Sequence, residues 1–228
     1  MLRAVDHDFF KKWTPGMAYV LGFFAADGCM IQNNRGGHFI EFHITDKELL
    51  YDIRSVLKSN HKISVRTRDP KHKIGYRIQI GSKQMYEDLS TLGFRSRKSL
   101  DLDMPQIPKK YFGHFVRGYF DGDGCVYFKS LKFADRKNLR HVLQSVFSCG
   151  TFDFLVALRG LLHKQGVQGG SLKKKKRGNE LMLSHLDSVA LFHLMYDTVP
   201  DNGLFLARKH KKYVRALRTL YGKNAVVA

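Results

Sequence analysis

The sequence predicts an α+β protein made of two copies of one unit, each an antiparallel sheet covered by helices on one face. Three observations carry this. Residues 20–28, VLGFFAADG, and 116–124, VRGYFDGDG, are both apolar runs that end in small residue, aspartate, glycine. A shift of 96 residues lays Gly22 on Gly118, Phe23 on Tyr119, Phe24 on Phe120, Asp27 on Asp123, Gly28 on Gly124 and Cys29 on Cys125, the signature of an internal duplication. After each run the same order of segments returns: helix, strand pair, helix, strand pair, helix. Strands that arrive as hairpins build antiparallel sheet, with the helices segregated to one side.

The elements follow in order. Thr14-Pro15 opens the first motif helix, with threonine as cap and proline at the first helical position, and Gly28 closes it. Gly22, Ala25 and Ala26 share one helix face without bulk, and Gly118, Asp121 and Gly122 repeat that spacing, so two helices can approach closely. A short strand leads to the hairpin loop Asn33-Asn34-Arg35-Gly36-Gly37. The strand His38–Thr45 turns Ile40, Phe42 and Ile44 inward and Glu41 and His43 outward. Thr45-Asp46-Lys47-Glu48 has the form of a capping box for a helix through about Lys58. In the next hairpin Ile63, Val65, Tyr76, Ile78 and Ile80 point inward, leaving Ser64, Arg66, Arg68, Arg77 and Gln79 outward. A helix from about Ser82 to Leu92 ends the unit.

Residues 93–108, with Pro105 and Pro108, read as the linker between a first half, 1–104, and a second, 105–228. The second motif helix starts near Lys109. Cys125–Lys132 and residues 139–149 are strands, and the phase of the latter is open, because Leu143 with Phe147 and Val142 with Val146 both suit an inward face. Thr151–Leu162 is a helix. Leu172–Arg177 and Glu180–Leu183 make a hairpin across Gly178-Asn179, and His185–Tyr196 is a helix. Leu204–Tyr221 is predicted helical and basic.

Lys and Arg total 39 against 20 Asp and Glu, a net charge of +19, which favours a polyanionic partner, most simply nucleic acid. No apolar run reaches the roughly 18 residues a membrane span needs. Three cysteines without CxxC spacing give neither a disulfide framework nor a zinc site, which suits a reducing compartment. The start MLRAVDHDFFKKW lacks the apolar core of a signal peptide, so the expected location is cytoplasm, including the nucleoid, or an organellar matrix.

The outward faces carry side chains that read base edges or hold phosphates in a major groove: Glu41, His43, Ser64, Arg66, Arg68, Arg77 and Gln79 in the first half. Lys129, Lys132, Arg140 and Gln144 are the candidates in the second, and the run Lys173–Arg177, with Lys173, Lys175 and Arg177, reads as a phosphate-gripping arm. Asp27 and Asp123 each fall at a helix C-terminus, where the dipole disfavours a carboxylate. Bringing two such ends together compounds the penalty, and a hard divalent cation held by oxygen ligands, magnesium, offsets it.

Both runs resemble the LAGLIDADG motif of the homing endonucleases, in its single-chain, two-motif form. The first departs from it at Ala25, where the motif has an aspartate that the second keeps as Asp121. The resemblance implies a saddle of two antiparallel sheets joined along the motif helices, and a monomer that cuts a long asymmetric double-stranded DNA site to leave short 3′ overhangs. It makes Asp27 and Asp123 the metal ligands, joined by the carbonyls of Ala26 and Gly122, with two or more Mg2+ ions. Mn2+ is expected to substitute, and Ca2+ to bind without turnover. It points to Lys98 and Lys209 as basic helpers, with Arg97 and Arg208 as rivals, and to Asp46 as a water-organising residue unless it is only a helix cap. An intron RNA maturase and a non-cleaving DNA-binding regulator are alternatives on the same fold. A generic basic RNA-binding protein leaves the duplicated Asp-Gly ends unexplained.

Overall fold

A computed structural model describes residues 3–66, 73–96, 102–132, 134, 137–176, 178–199 and 203–222. The first motif forms helix α1 (Pro15–Asp27), capped by Thr14, whose hydroxyl accepts from the Met17 amide at 3.0 Å. Strands β1 (Gly28–Gln32) and β2 (His38–Ile44) follow, then α2 (Lys47–Val56), β3 (Ile63–Arg66), β4 (Gly75–Gly81) and α3 (Lys83–Thr91). A single 3-10 turn, Lys109–Tyr111, precedes α4 (Phe112–Asp123). The second copy continues with β5 (Gly124–Leu131), β6 (Arg140–Cys149), α5 (Phe152–His163), β7 (Ser171–Lys175), β8 (Gly178–Leu183), α6 (His185–Tyr196) and α7 (Ala207–Tyr221).

The α+β class and the repeat are as expected: two four-stranded antiparallel sheets with the same strand order, β1-β2-β4-β3 and β5-β6-β8-β7. The chain divides into two compact units. One comprises residues 1–122 and 199–205, the other 123–198 and 206–228. In the first unit α1 is buried on every side, as a helix apolar all round must be. Its packing against α4 is reciprocal. A Cβ on Gly22 would lie 2.0 Å from the carbonyl oxygen of Phe115, and one on Gly118 would lie 2.0 Å from that of Tyr19. Each glycine therefore admits the other helix's backbone, which is why the face without bulk is there. Trp13 and Tyr111, the residues leading into the two helices, stack with ring centroids 6.1 Å apart.

Several expectations need correction. The helix after β2 is capped at Asp46 rather than Thr45, and no side-chain capping bond forms, so the capping box is absent. That helix ends at Val56, two residues early. Val65 keeps the inner-face register, paired with Tyr76, but is 64% exposed because β3 is the sheet's edge strand. Gly178 and Asn179 belong to β8, paired with Lys175 and Lys174, so the hairpin turns before them. The open phase of β6 is settled: Leu143, Ser145, Phe147 and Cys149 point into the core, where Ser145 hydrogen-bonds the Tyr213 hydroxyl.

Gly118→Ala must push apart two backbones rather than a flexible side chain. We expect a cost at the upper end of overpacking, about 3 kcal/mol, read as a lowered urea midpoint; an unchanged midpoint would show that the helices do not touch here.

Candidate active site and nucleic-acid interface

The helix pair carries polar groups into its interior. Asp121, 1% exposed, accepts from the Tyr19 hydroxyl at 2.7 Å. Arg117, equally buried, donates through Nε to the carbonyl of Leu204 at 2.8 Å and has Nη1 3.1 Å from His114 Nδ1. Its guanidinium lies over the Tyr19 ring, 5.3 Å from the centroid. Burial and the adjacent Arg117 lower the His114 pKa from 6.5 to about 4, so at neutral pH the imidazole is an uncharged acceptor.

At the end of the same pair, a Cβ on Gly122 would lie 2.3 Å from the Ala26 Cβ and 3.1 Å from a carboxylate oxygen of Asp27. Glycine is thus required where α4 meets the Asp27 side chain. Asp123 is the next residue of the chain. In the second unit it lines a cavity of about 330 Å3 together with Ser148, Cys149, Gly150, Lys175, Gly178, Asn179 and Glu180. Glu180 and Lys175 form an ion pair there at 2.6 Å, and the Asn179 amide donates to the carbonyls of Cys149 and Gly150. The sequence reading missed Glu180 and Asn179. Their partners on β7, Lys173 and Lys174, were legible only as an arm.

A donor set of carboxylates and backbone carbonyls suits a hard divalent cation. Among the described residues no three His, Cys, Asp or Glu side chains gather into a metal cluster. Such an ion held here would therefore complete its coordination with water and substrate oxygens, as magnesium commonly does.

The outer face of the first sheet gathers the predicted side chains. Glu41, His43, Ser64, Arg66, Arg77 and Gln79 share it, by the pairings Glu41 with Gln79, His43 with Arg77 and Ser64 with Arg77. Glu41 departs from expectation in one respect: it is outward but only 5% exposed. Its carboxylate accepts from Arg66 Nη1 at 3.0 Å, Gln79 Nε2 at 3.4 Å and Arg77 Nη1 at 3.5 Å. In the second sheet Lys129, Arg140, Gln144, Lys173 and Lys175 share the outer face, and Lys132 is exposed just past β5. Lys174 has the opposite register and lies over the Phe152 ring at 4.6 Å. Arg68, Arg97, Lys98 and Arg177 lie outside the described residues.

A family model for the LAGLIDADG-like domain matches residues 15–92. No curated protein matches the chain by sequence. Solved structures match its fold over most of its length. The LAGLIDADG meganuclease I-AabMI, bound to uncleaved DNA, is 15% identical over 87% of both chains, with a TM-score of 0.57. I-SmaMI, bound to an uncleaved DNA target in the presence of calcium ions, is 12% identical over 94% of both chains, at 0.60. The homing endonuclease I-WcaI, bound to its DNA recognition sequence, is 16% identical over 90% of both, at 0.56. The chain therefore has the LAGLIDADG meganuclease fold.

The helper candidates are distinguished by burial. Lys209, on the first turn of α7, is 5% exposed, whereas Arg208 beside it is exposed. Asp46 stands at the start of α2 with its carboxylate not engaged in capping, and accepts from the Thr45 hydroxyl at 3.4 Å. No helix among the described residues is long and apolar enough to cross a membrane.

The His114 site has a pH signature. Its folded pKa lies below the unfolded value, so the unfolded chain takes up the proton first as pH falls. The stability it contributes is complete above about pH 6.5 and is lost as pH falls toward 4. His61 and His210 are lowered too, chiefly by burial, and act in the same direction. His114→Asn keeps an acceptor and cannot titrate. Thermal melts from pH 7 to 4.5 should show a shallower fall in Tm than wild type; parallel curves would remove His114 as a contributor.

Proposed function

We propose that this protein is a site-specific double-strand DNA endonuclease of the homing type, acting as a monomer with magnesium. The observation that carries the reading is the reciprocal glycine contact of α1 and α4, which ends with the Asp27 carboxylate against Gly122, one residue before Asp123. Close approach of two helices needs only small residues. An acid at the end of each is a poor choice for packing, and a reasonable one for holding a cation.

In this mechanism Asp27 and Asp123 would each hold a divalent ion, aided by the carbonyls of Ala26 and Gly122. When bound, such ions polarise a phosphodiester and lower the pKa of water. The chain does the rest. Lys209, and Lys98 in the first half, offset charge that builds on the phosphate. Asp46 accepts a hydrogen bond from water and orients it. The cations of the two outer sheet faces hold the phosphates on either side, and Arg66, Arg77 and Gln79 offer donors to base edges. One acid from each copy matches the two strands of a duplex, and short 3′ overhangs are the expected product. Manganese is expected to replace magnesium, and calcium to support binding without cutting.

The test is cleavage selection on a randomised duplex library that includes the DNA flanking the gene's own insertion site. One long cut site, lost on chelation, is expected. Salt-sensitive binding to intron RNA without cutting would favour a maturase, and selective DNA binding without cutting a regulator. With the site in hand, Asp27→Asn and Asp123→Asn should each lower double-strand cutting at least a hundredfold, on the scale of losing a main electrostatic group. Their affinity for the site should stay within a few-fold of wild type. Either variant cutting both strands at the wild-type rate would rule out the metal roles.

A further inference from the structure

The charge on the first sheet's outer face is organised around one acid. Glu41 occupies the second strand in the order β1-β2-β4-β3, and its cross-strand neighbours are Cys29 on β1 and Gln79 on β4. A carboxylate only 5% exposed is costly unless paired and hydrogen-bonded. Here both oxygens are engaged: one takes Arg66 Nη1, the other Arg77 Nη1 and Gln79 Nε2. All three donors are residues whose side chains read guanine or adenine in a major groove. Glu41 lies beneath them, too enclosed to serve as a base contact itself.

Each guanidinium gives Glu41 a terminal nitrogen, so the fork is held from one side. Arg66 keeps 41% of its side chain exposed and Arg77 keeps 35%. Arg77 Nε is buried and has no hydrogen-bond partner among the described residues, so this arginine can turn its remaining terminal amine outward but not its inner edge. A long, unrestrained arginine loses rotamer freedom when a contact fixes it. Holding it beforehand removes part of that loss for the matching base and leaves fewer orientations to suit a wrong one.

We propose that Glu41 is a positioning residue for base readout, presetting Arg66, Arg77 and Gln79 as a donor array without touching DNA. This rests on the reading of the sheet as a DNA-binding face. It predicts more than the loss of a simple charge does: removing an acid from a polyanion-binding face strengthens unselective binding in either case, but here discrimination should also weaken.

The experiment uses Glu41→Gln, which keeps shape and removes charge, in the full chain. Binding to random duplex is measured against salt, and base preference by selection from a library randomised across the site. Affinity for random duplex should equal or exceed wild type, while preference falls about tenfold at two to four adjacent base pairs. A changed preference at one base pair alone would mean that Glu41 meets a base directly, and an unchanged profile would mean that it positions nothing; either overturns the proposal. If Glu41→Gln does not fold, Arg66→Lys tests the same link from the exposed end. It keeps the charge, loses the fork, and should relax preference within the same few base pairs. An unchanged profile there overturns the proposal as well. Wild type that selects no DNA sequence would remove the DNA-binding reading itself, and the proposal with it.

Discussion

The contact on which the first unit depends is between two backbones. At Gly22 and Gly118 the helices α1 and α4 approach so closely that neither position has room for a single carbon more. Helices packed through ordinary side chains sit 8–10 Å apart and tolerate repacking. A backbone contact leaves no such tolerance and fixes the rotation of each helix about its axis. That rotation decides which side chains fall inside, and it brings Gly122 against Ala26 and Asp27 at the far end. The same constraint that holds the pair together therefore positions the acid.

Close packing creates a second demand, because α4 carries Asp121 and Arg117 into the interior. Tyr19 answers both: its hydroxyl donates to Asp121 and its ring face lies under Arg117. Arg117 Nε donates to the Leu204 carbonyl and its Nη1 meets His114, which stays neutral because burial and the guanidinium both oppose its protonation. Tyr19 thus meets both the carboxylate and the guanidinium in one core, its hydroxyl on the first and its ring face on the second.

Periodicity and local chemistry made the elements readable. Thr14-Pro15, the alternation around Ile40 and the Asn33 loop each act over a few residues, and each took its expected form; in that loop Asn33 accepts from the amides of Arg35 and Gly37. What depends on neighbours distant in sequence was not readable. Val65 alternates correctly and is exposed, because no pattern within β3 says that it is the edge strand. The phase of β6 was ambiguous until Tyr213, 68 residues later, met Ser145. Glu41 was read as outward, and it is, but its burial comes from side chains 25 to 38 residues away. For the candidate site, the repeated Asp-Gly ends were legible from spacing alone. The cavity lining around Asp123 was not, since it draws on three strands that only the pairing brings together.

The two motifs differ at the residue where the repeat is otherwise regular, and the packing accounts for it. The shift that lays Ala25 on Asp121 also lays Tyr19 on Phe115. In the arrangement observed, the acid of one helix meets the hydroxyl of the other. The duplicated counterpart of that pair is Ala25 with Phe115: no acid, and no hydroxyl. A carboxylate at position 25 would have only a phenyl ring at the equivalent place, and a buried acid without a donor costs more than a lost methyl group gains. The half that lacks the acid also lacks the hydroxyl, so Ala25 and Phe115 are apolar together where Asp121 and Tyr19 are polar together.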